Sequence, residues 1–156
     1  MIRSLIAILL VLGLVAPFAA AACKNPPQPE LPKSTLTLET QRGRHAFTVE
    51  MATTPEQTAC GLMRRPRLDR DQGMLFKQSP PGPAFFWMKN TPQPLDMLFL
   101  DETGRVIHVA EFTTPYSRSV YGTERPTAAV LEVKAGTAAR LAVAHGDRVE
   151  HRWFKE

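Results

Sequence analysis

The 156-residue sequence has only two cysteines, Cys23 and Cys60, and its four histidines are widely separated. No histidine stands at a metal-ligand spacing from a second ligand, which argues against a zinc centre. No serine lies in the pattern of a nucleophile elbow, and nothing in the chain repeats. These absences predict no metal site and no cofactor, and they leave no ready-made catalytic constellation.

The chain also lacks a strong excess of either charge. Of its 19 lysines and arginines only Arg3 lies in the first 22 residues, so the remainder holds 18 basic against 15 acidic residues, a formal net charge of +3. The basic residues are scattered except for an arginine cluster at 64–70, so we expect no nucleic-acid partner. The cluster either contacts lipid phosphates or an acidic partner, or is a solvated loop whose arginines pair with Asp69 and Asp71.

A long apolar run occurs only at the N-terminus. Arg3 precedes twelve mostly apolar residues at 5–16, and Pro17 and the alanines at 19–22 follow. A positive charge, an apolar stretch and small residues in this order are typical of a secretory signal. The sequence therefore predicts a signal peptide over residues 1–22 and export to the periplasm or cell envelope. An uncleaved membrane anchor ranks second, because the run is at the short end of what spans a bilayer.

Cys23 directly follows the alanines, as the lipid-modified cysteine of a bacterial lipobox does, although Ala20 stands where leucine is usual. The proline-rich residues 23–33 predict a stiff, extended linker between a lipid anchor at Cys23 and the domain. Two alternatives remain open. Acylation of Cys23 would attach the protein to the membrane and leave Cys60 as a buried thiol, whereas cleavage after Ala20 or Ala22 would release a soluble protein in which a disulfide becomes possible. The cysteine count favours the anchor.

Short alternating apolar segments dominate the rest of the chain. Thr54, Pro55 and Gln57 have the pattern of a helix start with a capping box, and a second short helix is predicted at 137–143. Residues 80–83 predict a rigid proline turn, and residues 111–127 a long surface loop. Strands are predicted at 35–40, 47–51, 74–76, 84–89, 95–100, 105–110, 128–133 and 148–154.

These elements predict a mainly-β fold. Seven or eight short strands and two short helices, within a single domain at 34–156, are typical of a compact sandwich or barrel.

Several motifs follow one another along this domain: GLMRR at 61–65, GMLF at 73–76, FWMKNT at 86–91 with PLD at 94–96, LEVKAG at 131–136 and GD at 146–147. They resemble the successive signatures of the DUF192 family (UPF0127), over roughly residues 35–151. The resemblance implies a single mainly-β domain, often preceded by a signal or anchor, and it implies no reaction because the family has no established activity. Cys60 stands where the family has a variable, often charged residue, which gives no support for a catalytic thiol.

The segment from Trp87 to Asp96 contains the side chains most suited to binding a ligand. On a strand, Trp87 and Lys89 would share one face, and Asn90, Thr91 and Asp96 would cluster around a proline-bounded turn. One interpretation is a pocket for a small anionic or polar ligand, in which Lys89 supplies charge and Asp96 orients it. The other is structural: Asn90 and Asp96 bond the loop backbone, and Lys89 pairs with Asp96.

The leading functional prediction is a non-catalytic binding or accessory module of the cell envelope, whose partner is a small polar ligand or an envelope protein. A first alternative is a small hydrolase that uses Asp96 with Lys89 or His108. A second is a periplasmic copper-handling protein, since thioethers are soft ligands for copper(I). Its ligands would be His108 and five methionines, for which filling of the core is the simpler explanation: Met51, Met63, Met74, Met88 and Met97.

Overall fold

The computed structural model describes residues 22–154, so the predicted leader lies outside the described residues apart from Ala22. Within them, no helix is long and apolar enough to cross a membrane. The described chain contains seven strands and two short helices, which confirms the mainly-β class. Their order is β1 (Lys33–Thr40), β2 (Gly43–Ala52), α1 (Pro55–Cys60), β3 (Gln72–Phe86), β4 (Leu95–Leu100), β5 (Val106–Ala110), β6 (Tyr121–Lys134), α2 (Thr137–Leu141) and β7 (Arg148–Glu150).

The seven strands form one sheet in the order β5-β4-β6-β3-β2-β1-β7. Neighbouring strands are antiparallel except β2 and β3, which are parallel and are connected through α1. The sheet curls into a half-barrel, so the architecture is a single curled sheet rather than two stacked ones. The long strands β3 and β6 occupy its centre and pair with each other.

The first hairpin and the first helix form for local reasons. β1 and β2 pair up to Thr40 and Gly43, and Gly43 adopts a φ of 106° that glycine tolerates without strain. At the start of α1, the Thr54 hydroxyl accepts a hydrogen bond from the Gln57 amide, and the Gln57 side chain accepts one from the Thr54 amide, each at 3.2 Å. This reciprocal pair is the predicted capping box.

Both faces of the sheet are buried. One face packs a cluster of apolar side chains under α2, among them Leu38, Val49, Leu75, Leu98, Leu131, Val133 and Leu141. The other face lies under the segments that connect the strands, and its cluster includes Leu62, Leu68, Met74, Phe76, Met88, Met97, Phe99 and Val130. Because successive residues of a strand point to opposite faces, the register of each strand decides which cluster a side chain joins.

β3 and β6 are longer than the sequence predicts. Residues 80–83, predicted to be a turn, lie inside β3, and residues 121–127, predicted to be loop, form the first half of β6. The outer halves of the two strands pair across register shifts on both sides of Gly82. Prolines suit irregular pairing of this kind because they have no amide hydrogen to contribute to the ladder. The last strand is shorter than predicted and ends at Glu150.

The proline-rich segment before β1 packs against the domain, whereas the sequence predicts a stiff, extended linker to a lipid anchor. Gln28 is buried, and its side-chain amide donates hydrogen bonds to the carbonyl oxygens of Gln57 (3.0 Å) and Gly61 (2.9 Å). Gly61 is the residue that follows α1, and its own amide also donates to the Gln57 carbonyl oxygen, at 2.8 Å. Gln28 therefore adds a side-chain cap to the C-terminal end of the helix.

Arg65, a member of the arginine cluster, holds the same segment from the other side. Its guanidinium donates to both carboxylate oxygens of Glu50 (2.8 and 3.1 Å) and to the carbonyl oxygen of Gln28 (3.2 Å). Arg67 forms an ion pair with Asp69 at 2.8 Å, as the solvated-loop interpretation predicts for part of the cluster. At least one arginine of the cluster thus has a structural role inside the domain.

Candidate functional site

A cavity of about 160 Å³ lies between the end of α1, the centre of the sheet and the loop that follows β3. We call it the Trp87 cavity. One wall is residues 58–63, the aromatic side chains are Phe76, Phe85, Phe86 and Trp87, and the remaining lining residues are Lys89, Thr91 and Glu132. An apolar cavity of roughly 150 Å³ in another protein holds benzene, so a space of this size suits one small molecule.

Trp87 and Lys89 lie on the loop just after β3, which ends at Phe86, so the strand predicted over 84–89 does not extend to them; both side chains line the cavity. The Trp87 side chain is half exposed, and the Lys89 ammonium lies 5.1 Å from the centroid of its ring, within the range of a cation–π interaction. Met88, between them, is fully buried and belongs to the same apolar cluster as Phe76. Lys89 forms no ion pair with a carboxylate of the described residues, so its charge is available to a ligand.

Thr91 and Asn90 have different roles. Thr91 is buried and lines the cavity, and its hydroxyl donates to the carbonyl of Lys89 at 3.4 Å. Asn90 adopts a φ of 57°, donates to the Met63 sulfur at 3.9 Å, and its carbonyl accepts a hydrogen bond from the Arg64 amide at 2.7 Å. Asn90 does not line the cavity, and it shapes the turn that presents Lys89.

Asp96 is fully buried in β4, away from the cavity. One carboxylate oxygen accepts a hydrogen bond from the Phe112 amide (2.9 Å), and the other accepts one from the Ala138 amide (2.8 Å) in the first turn of α2. Asp96 is opposite Val133 in the register and therefore faces the cluster under α2. The structure does not bring Asp96 together with Lys89. Of the two interpretations, its contacts match the one in which the carboxylate bonds the loop backbone.

Glu132 is the cavity residue that sequence reasoning missed. It lies in β6 opposite Met97 of β4 and Met74 of β3, is only 4% exposed, and has no hydrogen bond or ion pair with any described residue. Burial raises the pKa of its carboxyl from 4.5 to about 8. Glu132 alternates with the apolar Leu131 and Val133, a pattern that is also typical of a half-exposed strand, so the sequence gives no signal of its burial; Lys134, two residues on, is exposed.

The wall of the cavity carries the disulfide. Cys60, the last residue of α1, is bonded to Cys23, and no free cysteine exists among residues 22–154. A sulfur atom in a disulfide cannot also carry a lipid, so the two fates of Cys23 considered from the sequence exclude each other. The structure shows the disulfide-bonded one. It ties the N-terminal segment to the cavity wall at the same turn that Gln28 caps.

The residues of the two alternative functions are placed as follows. The five methionines that could bind copper are all buried in the core. His108 lies in β5 opposite Phe99, and the two rings are 5.2 Å apart. Phe99 belongs to the cluster on the face away from α2, so His108 and Asp96 point to opposite faces. The described residues contain no group of three histidine, cysteine or acidic side chains arranged to hold a metal ion.

Comparison with solved structures finds proteins of the same fold at substantial identity. A crystal structure of a protein of unknown function from Novosphingobium aromaticivorans is 40% identical, with a TM-score of 0.77, over 86% of this chain and 94% of that one. A second, from Sinorhizobium meliloti and described provisionally as a transcription regulator, is 41% identical, with a TM-score of 0.76, over 79% of this chain and 96% of that one. No curated protein matches the sequence significantly.

The family model that matches is DUF192, described as an uncharacterised ACR, and it covers residues 37–151. The match runs from the middle of β1 to the residue after β7 and thus includes β3 and β6, whose residues line the Trp87 cavity. It agrees with the resemblance carried by the motifs at 61–65, 86–91 and 131–136, which contribute the turn after α1, the Trp87 loop and Glu132. The chain belongs to the DUF192 family.

Proposed function

We propose that this protein is an exported, non-catalytic binding module that holds one small ligand in the Trp87 cavity. The observation that carries the proposal is Lys89, a cation with no carboxylate partner among the described residues, placed over the Trp87 ring at a cavity of about 160 Å³. Ligand sites in proteins combine an apolar lining with a few polar groups that fix orientation. Here the aromatic rings supply the lining, and Lys89 and Thr91 supply polar groups.

The leader supports export, and the Cys23–Cys60 disulfide suits an oxidising compartment. We therefore favour a disulfide-bonded protein in the periplasm. Attachment to the membrane through a lipid on Cys23 is the alternative, and it requires that Cys60 be a free thiol in the mature protein.

A hydrolase built on Asp96 gains no support from the geometry. Both carboxylate oxygens of Asp96 already accept backbone hydrogen bonds, and the side chain faces the buried cluster under α2. Neither oxygen is directed at a cavity where a substrate and a water molecule would meet, as general acid–base catalysis requires.

Ligand binding is testable by NMR titration of the oxidised protein with a panel of small anions and neutral molecules, such as benzoate, succinate, phosphate and glucose. We expect at least one probe to shift the amide signals of residues 58–63 and 86–91, and Lys89→Ala to weaken its binding about tenfold or more, as loss of a charged contact does. Lys77→Ala is a matched control, because the Lys77 ammonium lies 5.6 Å from the Trp153 ring, outside the cavity.

Two results would contradict the proposal. One is that no probe in the panel shifts the cavity signals at millimolar concentration. The other is that a probe binds equally well to the wild type, Lys89→Ala and Lys77→Ala proteins, which would place its site elsewhere on the surface.

A further inference from the structure

Glu132 occupies an unusual position for an acidic side chain. It is nine-tenths or more buried in the middle of the sheet, between Met74 and Met97 on the neighbouring strands, and it lines the Trp87 cavity. No donor among the described residues reaches its carboxyl group. Buried carboxyl groups normally have hydrogen-bond partners, so the partner that Glu132 lacks within the protein is a candidate for a group on the ligand.

The surroundings of Glu132 disfavour the charged form. Its neighbours on the adjacent strands are methionines, and desolvation is the only cause that shifts its pKa, to about 8. At neutral pH the group is therefore mainly a neutral carboxylic acid, which has an O–H to donate. A neutral acid of this kind binds an acceptor oxygen and has little attraction for a cation.

The charged groups around Glu132 are few. Among residues 22–154, Lys89 on the loop is the only other ionisable residue that lines the cavity; the cysteine on the α1 side is in the disulfide and does not titrate. The neighbours from β3 and β4 are uncharged, and Lys134, two residues further along β6, is exposed and does not line the cavity. With Glu132 neutral and Lys89 charged, the cavity carries a net positive charge and favours an anion.

On the basis of the binding function proposed above, we infer that the ligand is a small apolar monocarboxylate. Its carboxylate accepts a hydrogen bond from the protonated side chain of Glu132 and is neutralised by Lys89. Its hydrocarbon part lies among the rings of Phe76, Phe86 and Trp87. A hydrogen bond from a neutral O–H to a carboxylate is charge-assisted, and therefore short and strong, which makes Glu132 a specificity-determining residue.

The test measures the affinity for benzoate between pH 6 and pH 9 by NMR or calorimetry. Benzoate remains ionised over this range, so a change in affinity reports on the protein. Below about pH 8 the affinity of the wild type should be constant, and above it the affinity should fall by up to about tenfold per pH unit as Glu132 loses its proton. Benzylamine and benzyl alcohol, of the same size, are the cationic and neutral comparison probes.

Two substitutions distinguish the contribution of the donated Glu132 proton from that of the shape of the side chain. Glu132→Gln keeps a donor at the same place, so benzoate should bind with similar affinity at pH 6.5 and show little of the fall above pH 8. Glu132→Met, which matches the neighbouring methionines, removes the donor and should weaken binding about tenfold or more at pH 6.5. Amide spectra of both variants establish that they are folded.

The outcomes distinguish the two proposals. Equal benzoate affinity in wild type and Glu132→Met, or preferred binding of benzylamine that strengthens above pH 8, would overturn the inference and leave the cavity as a ligand site. If none of the three probes, and none of the earlier panel, shifts the cavity signals, the binding function itself fails, and the inference falls with it.

Discussion

Glu132 and Asp96 lie on paired strands one residue out of register, and their carboxyl groups point to opposite faces of the sheet. Both are buried, but Asp96 accepts two backbone hydrogen bonds whereas Glu132 has no partner among the described residues. The first is a structural carboxylate that joins β4 to the Phe112 loop and to α2. The second is an acid at the edge of a cavity. Experiments on stability and on ligand binding should distinguish the structural role of Asp96 from the binding role of Glu132.

Asp96→Ala should destabilise the protein by about 2–4 kcal/mol, because the amides of Phe112 and Ala138 would lose a charged acceptor in a buried place. Urea unfolding measures the change. Ligand affinity should stay within about twofold of the wild type, since the carboxylate faces away from the cavity. Asp69→Ala is the control: Asp69 pairs only at the surface with Arg67 and should cost about 0–1 kcal/mol. A stable Asp96→Ala protein that no longer binds ligand would reverse this assignment.

Glu132→Met should stabilise the ligand-free protein, increasingly as pH rises from about 4.5 to 8. The unfolded chain loses the Glu132 proton near pH 4.5, but the folded protein keeps it until about pH 8, so folding binds one extra proton in this window. Wild-type stability therefore falls with rising pH relative to the variant, by on the order of 4–5 kcal/mol in total, and the difference is constant above pH 8. Urea unfolding at pH 4.5, 6 and 8 measures it. If the free energies of unfolding of the two proteins changed with pH in parallel, the carboxyl group would titrate normally.

Removal of the disulfide should weaken the fold and loosen the cavity wall. Cys23 and Cys60 are 37 residues apart, and closing a loop of that length is worth about 3–4 kcal/mol on the chain-entropy model. The Cys23→Ser, Cys60→Ser double variant should show a loss of this order in urea unfolding and altered amide signals at 58–63. A reducing agent should reproduce the loss in the wild type and leave the variant unchanged. No change in either protein would mean that Gln28 and Arg65 hold the segment without help.

The fate of Cys23 in cells can be read from the mature protein. We expect it in the periplasmic fraction, with an intact mass two hydrogens below that of the reduced form. A palmitate analogue should not label it. Labelling that disappears in a Cys23→Ser variant, together with recovery in the membrane fraction, would establish the lipid anchor and exclude the disulfide.

Gly122→Ala should destabilise the outer pairing of β3 and β6. A Cβ at this position would lie 2.7 Å from Cδ1 of Phe85 and closer still to the carbonyl oxygen of Ala84, so the two strands would have to separate. We expect a loss of about 1–3 kcal/mol in urea unfolding. Gly82→Ala, on the paired strand, is the matched control, because the nearest atom to its Cβ is 3.4 Å away at the end of the Gln78 side chain. Equal effects of the two substitutions would contradict the steric explanation.

Features that depend on residues close together in the chain could be predicted from the sequence. The Thr54–Gln57 capping box and the β1–β2 hairpin are of this kind, and both are confirmed. The extent of β3 and β6 could not be predicted in this way. The prolines among residues 80–83 indicate a turn when only their neighbours in the chain are considered. Pairing with residues 121–127, some forty positions away, keeps 80–83 in the sheet.

The residues of the candidate site also differ in whether their positions depend on near or distant parts of the chain. Trp87, Lys89 and Thr91 are close neighbours in the chain, and all three line one cavity, although they lie in a loop and not on the strand that the sequence predicts. The positions of Asp96 and Glu132 depend on the register between β4 and β6 and on the fact that both faces of these strands are covered. A strand with one solvated face would leave Glu132 exposed, which is what the alternation of residues 131–134 indicates. The sequence motif at 131–136 contains Glu132 but gives no sign of its burial.

The location of Cys60 in the cavity wall affects how the protein should be produced. Expression in a reducing cytoplasm would yield a domain without the covalent link behind α1, and a deletion that extends past residue 28 would also remove the Gln28 cap. Such a preparation could still fold around its central sheet and yet present a deformed site, and a ligand screen on it would return false negatives. Oxidised material that begins at Cys23 is the appropriate sample for crystallography and for screening alike.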